Sequence, residues 1–315
     1  MDTNIHTESH QPPRVSIGLA VYNGEKYLEE AIVSILSQTY QDFELIISDN
    51  ASSDRTEEIC RAFAAQDLRI RYSRNPTNIG GANNENLTFK LARGEYFRWA
   101  AHDDVLAPEL IEKCVEVLER EPSVALCYGK IVKIDGEGNE IECIERTIAA
   151  SDKPNERFRE LYDWFSHDCE TTYGLIRADV MRKTDLQKNY TDSDRTLLCE
   201  ISLYGKFHQI PEKLFYKRYH ADMSTQVLRD YRERMVWFDP EFKKKGKIAL
   251  PHVTQFFHYL RIIWRAPLSM KERLRCYRHM ISWLFLYNRW ARMINDVIKA
   301  GITITQSFRQ KISSA

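Results

Sequence analysis

Val15-Ser-Ile-Gly-Leu-Ala-Val21 leads into Tyr27, Leu28, Ala31, Ile32, Ile35 and Leu36 at helical spacing, and these into Phe43-Glu-Leu-Ile-Ile47. The mostly apolar run reads as a buried strand, and the recurring i, i+3 and i+4 positions as one apolar helix face. The alternation continues along the chain. Asp54, with Glu57 three residues on, is a capping-box-like helix start. Arg69 to Arg74 and Tyr96 to Ala100 read as third and fourth strands, and Pro108 stands at a first helical position ahead of Glu109 to Arg120. Strands alternating with helices imply right-handed βαβ units. The expected fold class is therefore α/β, a mostly parallel twisted sheet flanked by helices.

Further on, Val124 to Ile134, the turn Asp135-Gly-Glu-Gly138 and Asn139 to Ile144 predict a hairpin. Helical patterns follow at Asn155–Phe165 and Asp194–Tyr204, the second stopped by Gly205 as a left-handed cap. Short strand-like runs lie at Phe207–Ile210 and Leu214–Tyr219, and the texture then turns basic and aromatic. Residues 228–315 carry 18 Lys and Arg against 6 Asp and Glu, a net of +12, while residues 1–227 carry 27 against 39, a net of −12. Such a step marks two regions with different surroundings. We expect a disordered N-terminus (1–13), an α/β catalytic domain (14–227) and a basic, aromatic-rich helical extension (228–315).

The 315 residues, 43% hydrophobic and 29% charged, are ample for a buried core and exclude fibrous and disordered classes. The longest apolar run, Ile281 to Tyr287 around Ser282, is far short of the ~18 residues of a bilayer span. The first residues are polar and lack a signal pattern. Seven Cys without a C-x-x-C pair argue against a zinc site or a disulfide framework. A cytoplasmic location is expected.

In an open α/β sheet, ligands bind beyond the carboxyl ends of the strands. Three such loops carry suitable side chains: Val21-Tyr-Asn-Gly24, Ser48-Asp-Asn-Ala-Ser-Ser-Asp54 and Ala101-His-Asp-Asp104. Asp49 could accept an N–H from a base edge while Tyr22 packs on the ring, or Asp49 and Asp54 could be turn and capping residues. Adjacent carboxylates at Asp103-Asp104 repel unless a cation sits between them and a substrate, and oxygen ligands suit Mg²⁺ or Mn²⁺. A solvated acidic turn ahead of a helix is the plainer alternative.

The run from Val15 to about His220 resembles the inverting GT-A glycosyltransferases of family 2. The similarity is carried by Val15-Ser-Ile-Gly-Leu-Ala-Val-Tyr-Asn-Gly24, Ser34-Ile-Leu-Ser-Gln-Thr-Tyr40 and Ile46-Ile-Ser-Asp-Asn-Ala-Ser-Ser-Asp-Arg-Thr56. Asn78-Ile-Gly80, Asn86 and Gly94-Glu-Tyr96 continue it. The resemblance implies a GT-A nucleotide-binding fold with Ala20, Tyr22, Asp49 and Asn78 at the nucleotide. It implies Asp103 as the metal carboxylate, with Asp104 beside the donor. The family's loop is commonly Asp-x-Asp-Asp, and here the first Asp is Ala101. It also implies Asp194 as the catalytic base at a helix start, with Asp192 the fallback and helix capping the alternative. Where the family has Glu before that Asp, this chain has Ser193. Arg218-Tyr-His220 is similar to the family's Arg-x-His, with His220 on the metal or diphosphate and Arg218 on phosphate oxygens; a surface histidine is the alternative. Gln226-Val-Leu-Arg229-Asp230 is treated as a chance likeness to a processive-synthase motif. His167, Asp168, Glu170 and Thr172 are placed at the acceptor pocket.

The expected activity is metal-dependent, inverting transfer from a nucleotide-diphosphate sugar, a UDP-sugar, to a hydroxyl of a surface glycan or lipid-linked acceptor, with Mn²⁺ or Mg²⁺ as cofactor. Two other classes are weighed. A sugar-phosphate nucleotidylyltransferase would want a glycine-rich basic loop after the first strand, which Val21-Tyr-Asn-Gly-Glu25 is not. A non-catalytic carbohydrate-binding protein is kept open by Ala101 and Ser193. Residues 252–300 interleave aromatics with Arg and Lys. They would either pack on the acidic body, pair subunits as a homodimer, or lie on an anionic membrane at the inner face of the cell. No nucleic-acid reader motif accompanies them.

Overall fold

The computed structural model describes residues 11–163, 169–221, 223, 231–238, 240 and 250–313. Most of the N-terminal segment expected to be disordered lies outside these residues, as do His167, Asp168, the 227/228 boundary and the segment from Gln226 to Asp230. The chain forms β1 (Val15–Val21), α1 (Leu28–Leu36), β2 (Phe43–Asp49), α2 (Thr56–Gln66), β3 (Ile70–Arg74), α3 (Gly81–Leu91), β4 (Tyr96–Ala100), β5 (Val105–Leu106) and α4 (Leu110–Arg120). There follow β6 (Val124–Ile134), β7 (Glu140–Ile144), α5 (Pro154–Asp163), a 3₁₀ turn (Glu170–Tyr173), β8 (Leu175–Arg177), α6 (Ala178–Met181), α7 (Ser193–Ser202) and β9 (Lys206–Arg218). Four further helices are α8 (Tyr231–Phe238), α9 (Pro251–Arg265), α10 (Met270–Phe285) and α11 (Arg289–Ser313).

One sheet organises these elements, in the order β3-β2-β1-β4-β8-β6-β9-β5, with β7 bonded to β6. β3, β2, β1 and β4 are mutually parallel, as are β6 and β9. The short β8 joins the two parallel blocks by running antiparallel to both β4 and β6. The hairpin of β6 with β7 forms as expected. Alternate residues of β1, Val15, Ile17, Leu19 and Val21, enter a core with Leu28 and Ile32 of α1, Ile59 of α2 and Leu110 of α4. On the opposite face, Phe97 and Trp99 of β4 join Phe89, Phe158, Leu197 and Ile201. Gly18 is required there, because a Cβ would stand 2.3 Å from Thr88 Oγ1 of α3.

Several local expectations are corrected. Phe207–Ile210 and Leu214–Tyr219 are parts of one strand, β9, whose pairing with β6 absorbs register shifts. Gly205 is not a left-handed cap; a Cβ at this position would lie 2.7 Å from Ala125 Cβ, so its role is close approach to β6. Glu57 closes no capping box and instead pairs with Arg61 and Arg74. Asp54 accepts from Thr56 N and Glu25 N, tying the helix start to the β1 loop. The basic helices pack on the body through one face: Tyr259, Ile262 and Ile263 of α9 and Cys276, Met280 and Trp283 of α10 belong to the second core. No helix of the described residues is long and apolar enough to cross a membrane.

Candidate active site

The carboxyl ends of β1 and β2 are laced together before any ligand is considered. Asn23, at φ 52°, donates its N–H to Ser52 Oγ (2.9 Å), and its Oδ1 accepts from Ser53 N (2.8 Å). Asp49 ends β2 fully buried, accepting from Ser52 N at 2.8 Å and from the Tyr72 hydroxyl at 2.9 Å, with Arg74 Nε at 3.4 Å. Ala20 sits one residue before the end of β1, opposite Ser48, and Tyr22 projects from the rim, 47% exposed. Asn78 accepts from Asn50 Nδ2 (3.0 Å) and Gly80 N (2.8 Å), so its loop is pinned to the end of β2.

The Asp103-Asp104 loop is shaped by strand pairing. It emerges from β4 and enters β5, whose Val105 and Leu106 pair antiparallel with Tyr216 and Phe215 of β9. That register carries Lys217, Arg218 and His220 back along Asp104 and Asp103. His220 Nε2 reaches Asp103 Oδ2 at 3.0 Å, and its ring leans on Tyr27 at 4.9 Å. Burial raises the Asp103 carboxyl, but the His220 hydrogen bond and the positive surroundings of His102 and Lys217 outweigh it, holding the group well below the usual carboxylate range. Asp104 goes the other way. Burial pushes it up to about 6 against the pull of Lys217, with the Asp103 charge adding to the rise.

Two of the residues expected at the donor are held by partners within the protein. Arg218 is 2% exposed, and its guanidinium donates to the carbonyls of Asp103 (2.9 Å) and Gly136 (3.1 Å) and to Glu30 Oε2 (2.6 Å) while stacking on Tyr27. It is therefore turned into the protein rather than toward a phosphate, because the β5–β9 register places it behind the loop. Asp104 likewise accepts from Arg218 N at 3.0 Å and meets Lys217 Nζ at 3.4 Å.

Asp194 stands in the first turn of α7, two residues after Asp192, which holds the N-cap position at φ 67°. Asp194 Oδ1 accepts from Arg195 N at 2.7 Å. Burial, then the Asp192 charge, raises its pKa, against the hydrogen bonds from Arg195 N and the Cys169 thiol. Glu85 and Lys217, which no sequence motif marks, link Asp194 electrostatically to the Asp103-Asp104 loop. Glu85 of α3 is pushed up to about 7 by burial and the Asp194 charge, with Lys217 opposing. Burial works against the Lys217 charge, yet Asp104, Tyr173, Asp103 and Glu170 raise its pKa well above the usual lysine value. The basic pair Lys217-Arg218 closing a strand-like run is the available signal for Lys217; Glu85 lies in a helix with no apolar stripe. Of the expected acceptor residues, Glu170 accepts from the Tyr219 hydroxyl at 3.2 Å, and Thr172 is buried with Oγ1 unpartnered among the described residues.

A metal fits the donor set at Asp103. A carboxylate oxygen and an imidazole nitrogen 3.0 Å apart can share one divalent ion.

The model of the family described as glycosyl transferase family 2 matches residues 16–184, more than half of the chain. The chain belongs to glycosyl transferase family 2. An uncharacterised glycosyltransferase of Methanocaldococcus jannaschii is 30% identical over 210 residues, covering 64% of this chain and 69% of that protein. One from Rickettsia felis is 29% identical over 225 residues, covering 70% of this chain and 36% of its own length. The chain thus spans about a third of that rickettsial relative. The crystal structure of Staphylococcus aureus TarS 1–349 superposes with a TM-score of 0.56 at 17% identity, covering 93% of this chain and 92% of that one. TarS 1–349 in complex with UDP-GlcNAc gives a TM-score of 0.57 at 16% identity, with the same coverage. This family 2 glycosyltransferase has the GT-A fold, with helices beyond it at the C-terminal end.

Proposed function

We propose that this family 2 transferase takes a nucleotide-diphosphate sugar, a UDP-sugar, and passes the sugar with inversion to an acceptor hydroxyl. The observation that carries the reading is the opposition of two differently tuned acids. Asp103, held ionised beside His220, faces the strand ends where a donor would lie, while Asp194 starts a helix across Glu85 and Lys217 with its carboxyl raised. Paired carboxylates with pKa values pushed apart separate a charge-binding role from a proton-accepting one. Asp194 takes the acceptor proton as the hydroxyl oxygen bonds to the anomeric carbon; the bond from that carbon to the diphosphate oxygen breaks, and the nucleotide diphosphate leaves. Bond formation opposite the leaving group inverts the centre. Asp103 and His220 would hold Mn²⁺ or Mg²⁺, which supplies charge neutralisation for the diphosphate. The imidazole nitrogen favours Mn²⁺.

Ala20, Tyr22, Asp49 and Asn78 take the nucleoside in this reading, with Tyr22 closing over the base. Asp49 already accepts from Ser52 N and the Tyr72 hydroxyl, and its carboxylate oxygens keep further lone pairs for a base N–H. Similarity to a TarS structure determined with UDP-GlcNAc supports a uridine donor. A panel of UDP-sugars and GDP-sugars assayed for nucleotide diphosphate release with Mn²⁺ tests it. Release from at least one UDP-sugar supports the reading, and none from any donor opposes it.

The acceptor is read as lipid-linked or part of a surface glycan, met at an anionic membrane. With one face of α9 and α10 packed on the body, the outer face still exposes Phe257, Trp264, Ile281 and Phe285, each 60–69% exposed, and α11 adds Trp290, Ile294 and Ile298. Basic side chains of the same helices, Arg278 and Arg292 among them, suit acidic headgroups.

A further inference from the structure

Behind the helix that carries Asp194, three side chains from three segments turn polar atoms toward one another. Asp185 lies in the loop after α6, Glu200 on α7 and His258 on α9. One ligand-type atom of each lies within 4.8 Å of the other two. Asp185 and His258 side chains are each 8% exposed and Glu200 is 1% exposed. Asp185 Oδ2, Glu200 Oε1 and His258 Nε2 are buried, and none has a hydrogen-bond partner among the described residues.

A hydrogen-bond relay favours the tautomer of His258 protonated on Nδ1. The Asp192 carbonyl only accepts, so Thr196 Oγ1, 3.4 Å away, donates to it. The Tyr190 hydroxyl then donates to Thr196 at 3.1 Å, leaving its oxygen to accept from His258 Nδ1 at 2.6 Å. In that tautomer Nε2 presents a lone pair. It faces Asp185 Oδ2 at 3.2 Å without hydrogen-bond alignment. A lone pair set against a carboxylate oxygen in a buried site repels unless positive charge lies between them. The separation is close to the ~3.3 Å edge of a tetrahedron built on zinc bonds of about 2.0–2.1 Å.

The other oxygen of each carboxylate is already oriented. Asp185 Oδ1 accepts from Arg261 and Arg265, and Glu200 Oε2 accepts from Asp185 N at 2.9 Å. Each acid thus keeps one oxygen free and aimed inward. We propose that Asp185, Glu200 and His258 form a structural site for a zinc-class divalent cation, which clamps α9 of the basic helices to the back of α7. The imidazole nitrogen selects this class over Mg²⁺ or Ca²⁺, which want oxygen ligands. The charges of Arg261 and Arg265 oppose the ion, so binding is weaker than at thiolate sites. The three residues are distinct from Asp103 and His220, and the site stands whether or not the proposed donor chemistry does.

The test uses the full chain and its Asp103→Asn variant, which removes the carboxylate of the donor-side pair. Each is stripped with chelator, loaded with Zn²⁺, desalted and analysed for metal by mass spectrometry, with Co²⁺ loading in parallel. The expected result for Asp103→Asn is one zinc per chain, the visible absorption of tetrahedral Co²⁺, and a thermal midpoint several degrees higher with Zn²⁺ that chelator reverses. Glu200→Gln, which can still accept from Asp185 N, loses the bound metal and the zinc-dependent shift while keeping its circular dichroism. Negligible zinc in folded Asp103→Asn protein would overturn the proposal, as would undiminished zinc in folded Glu200→Gln. If Glu200→Gln fails to fold, the stoichiometry and Co²⁺ spectrum of Asp103→Asn decide alone.

Discussion

His220 Nε2 lies 3.0 Å from Asp103 Oδ2 although 117 residues separate them, because the two-residue strand β5 pairs with the end of β9. Losing either partner should remove metal-dependent turnover. Asp103→Ala is expected to abolish Mn²⁺-stimulated nucleotide release while the thermal midpoint stays within a few degrees. His220→Ala should raise the Mn²⁺ concentration needed for half-maximal rate. Full activity of Asp103→Ala at any metal concentration would refute the assignment.

Arg218 is expected to behave as a scaffold residue. Arg218→Ala removes hydrogen bonds to the carbonyls of Asp103, Asp135 and Gly136 and the stack on Tyr27, and should cost about 2–4 kcal/mol of stability. Glu30 is half-exposed, so Glu30→Gln should cost under about 1 kcal/mol. Urea melts measure both. A folded, undestabilised Arg218→Ala that has lost donor affinity would return Arg218 to the phosphate.

The strands β1, β2 and β4 are legible as compact, mostly apolar runs, and β3 by the alternation of Ile70 and Tyr72 with polar residues. α3 is not, since three of its buried positions are Asn84, Asn86 and Thr88. Asn84 bonds Ser48 and Asn86 bonds the backbone of Gln187, so hydrogen bonds replace the apolar stripe that a periodicity search needs. β5 and β8 are too short to carry a pattern, yet β5 brings Lys217 and His220 to the Asp103-Asp104 loop. Asp103 and Asp194 stood out as acids at element ends. Arg218 looked equally available, and only the register shows it buried.

The pH dependence of the rate should carry the signature of Asp194. A base works deprotonated, so the rate falls as pH drops through its pKa. Burial and the Asp192 charge raise that pKa, which places the acid limb above the usual carboxylate range. Asp192→Asn removes one raising charge and should move the limb of kcat to lower pH. A limb that stays fixed, or moves upward, contradicts the coupling.

Membrane contact through the outer face is tested without removing helices, since Tyr259 and Trp283 are part of the core and truncation would expose it. Flotation with phosphatidylglycerol vesicles should recover the full chain at low salt. The combined variant Trp264→Ser, Phe285→Ser, Trp290→Ser should remain in the dense fraction with its melt unchanged. Equal flotation of the two, or none by either, rejects the membrane reading.

In the proposed reaction Asp194 accepts the proton while the donor is held elsewhere. Nucleotide diphosphate release from the preferred UDP-sugar, measured for wild type and Asp194→Asn beside calorimetric donor binding, addresses it most directly. Asp194→Asn should lose roughly 10²–10⁴ in rate with donor affinity nearly unchanged. Donor binding lost in step with the rate, or a rate within a few-fold of wild type, would contradict it.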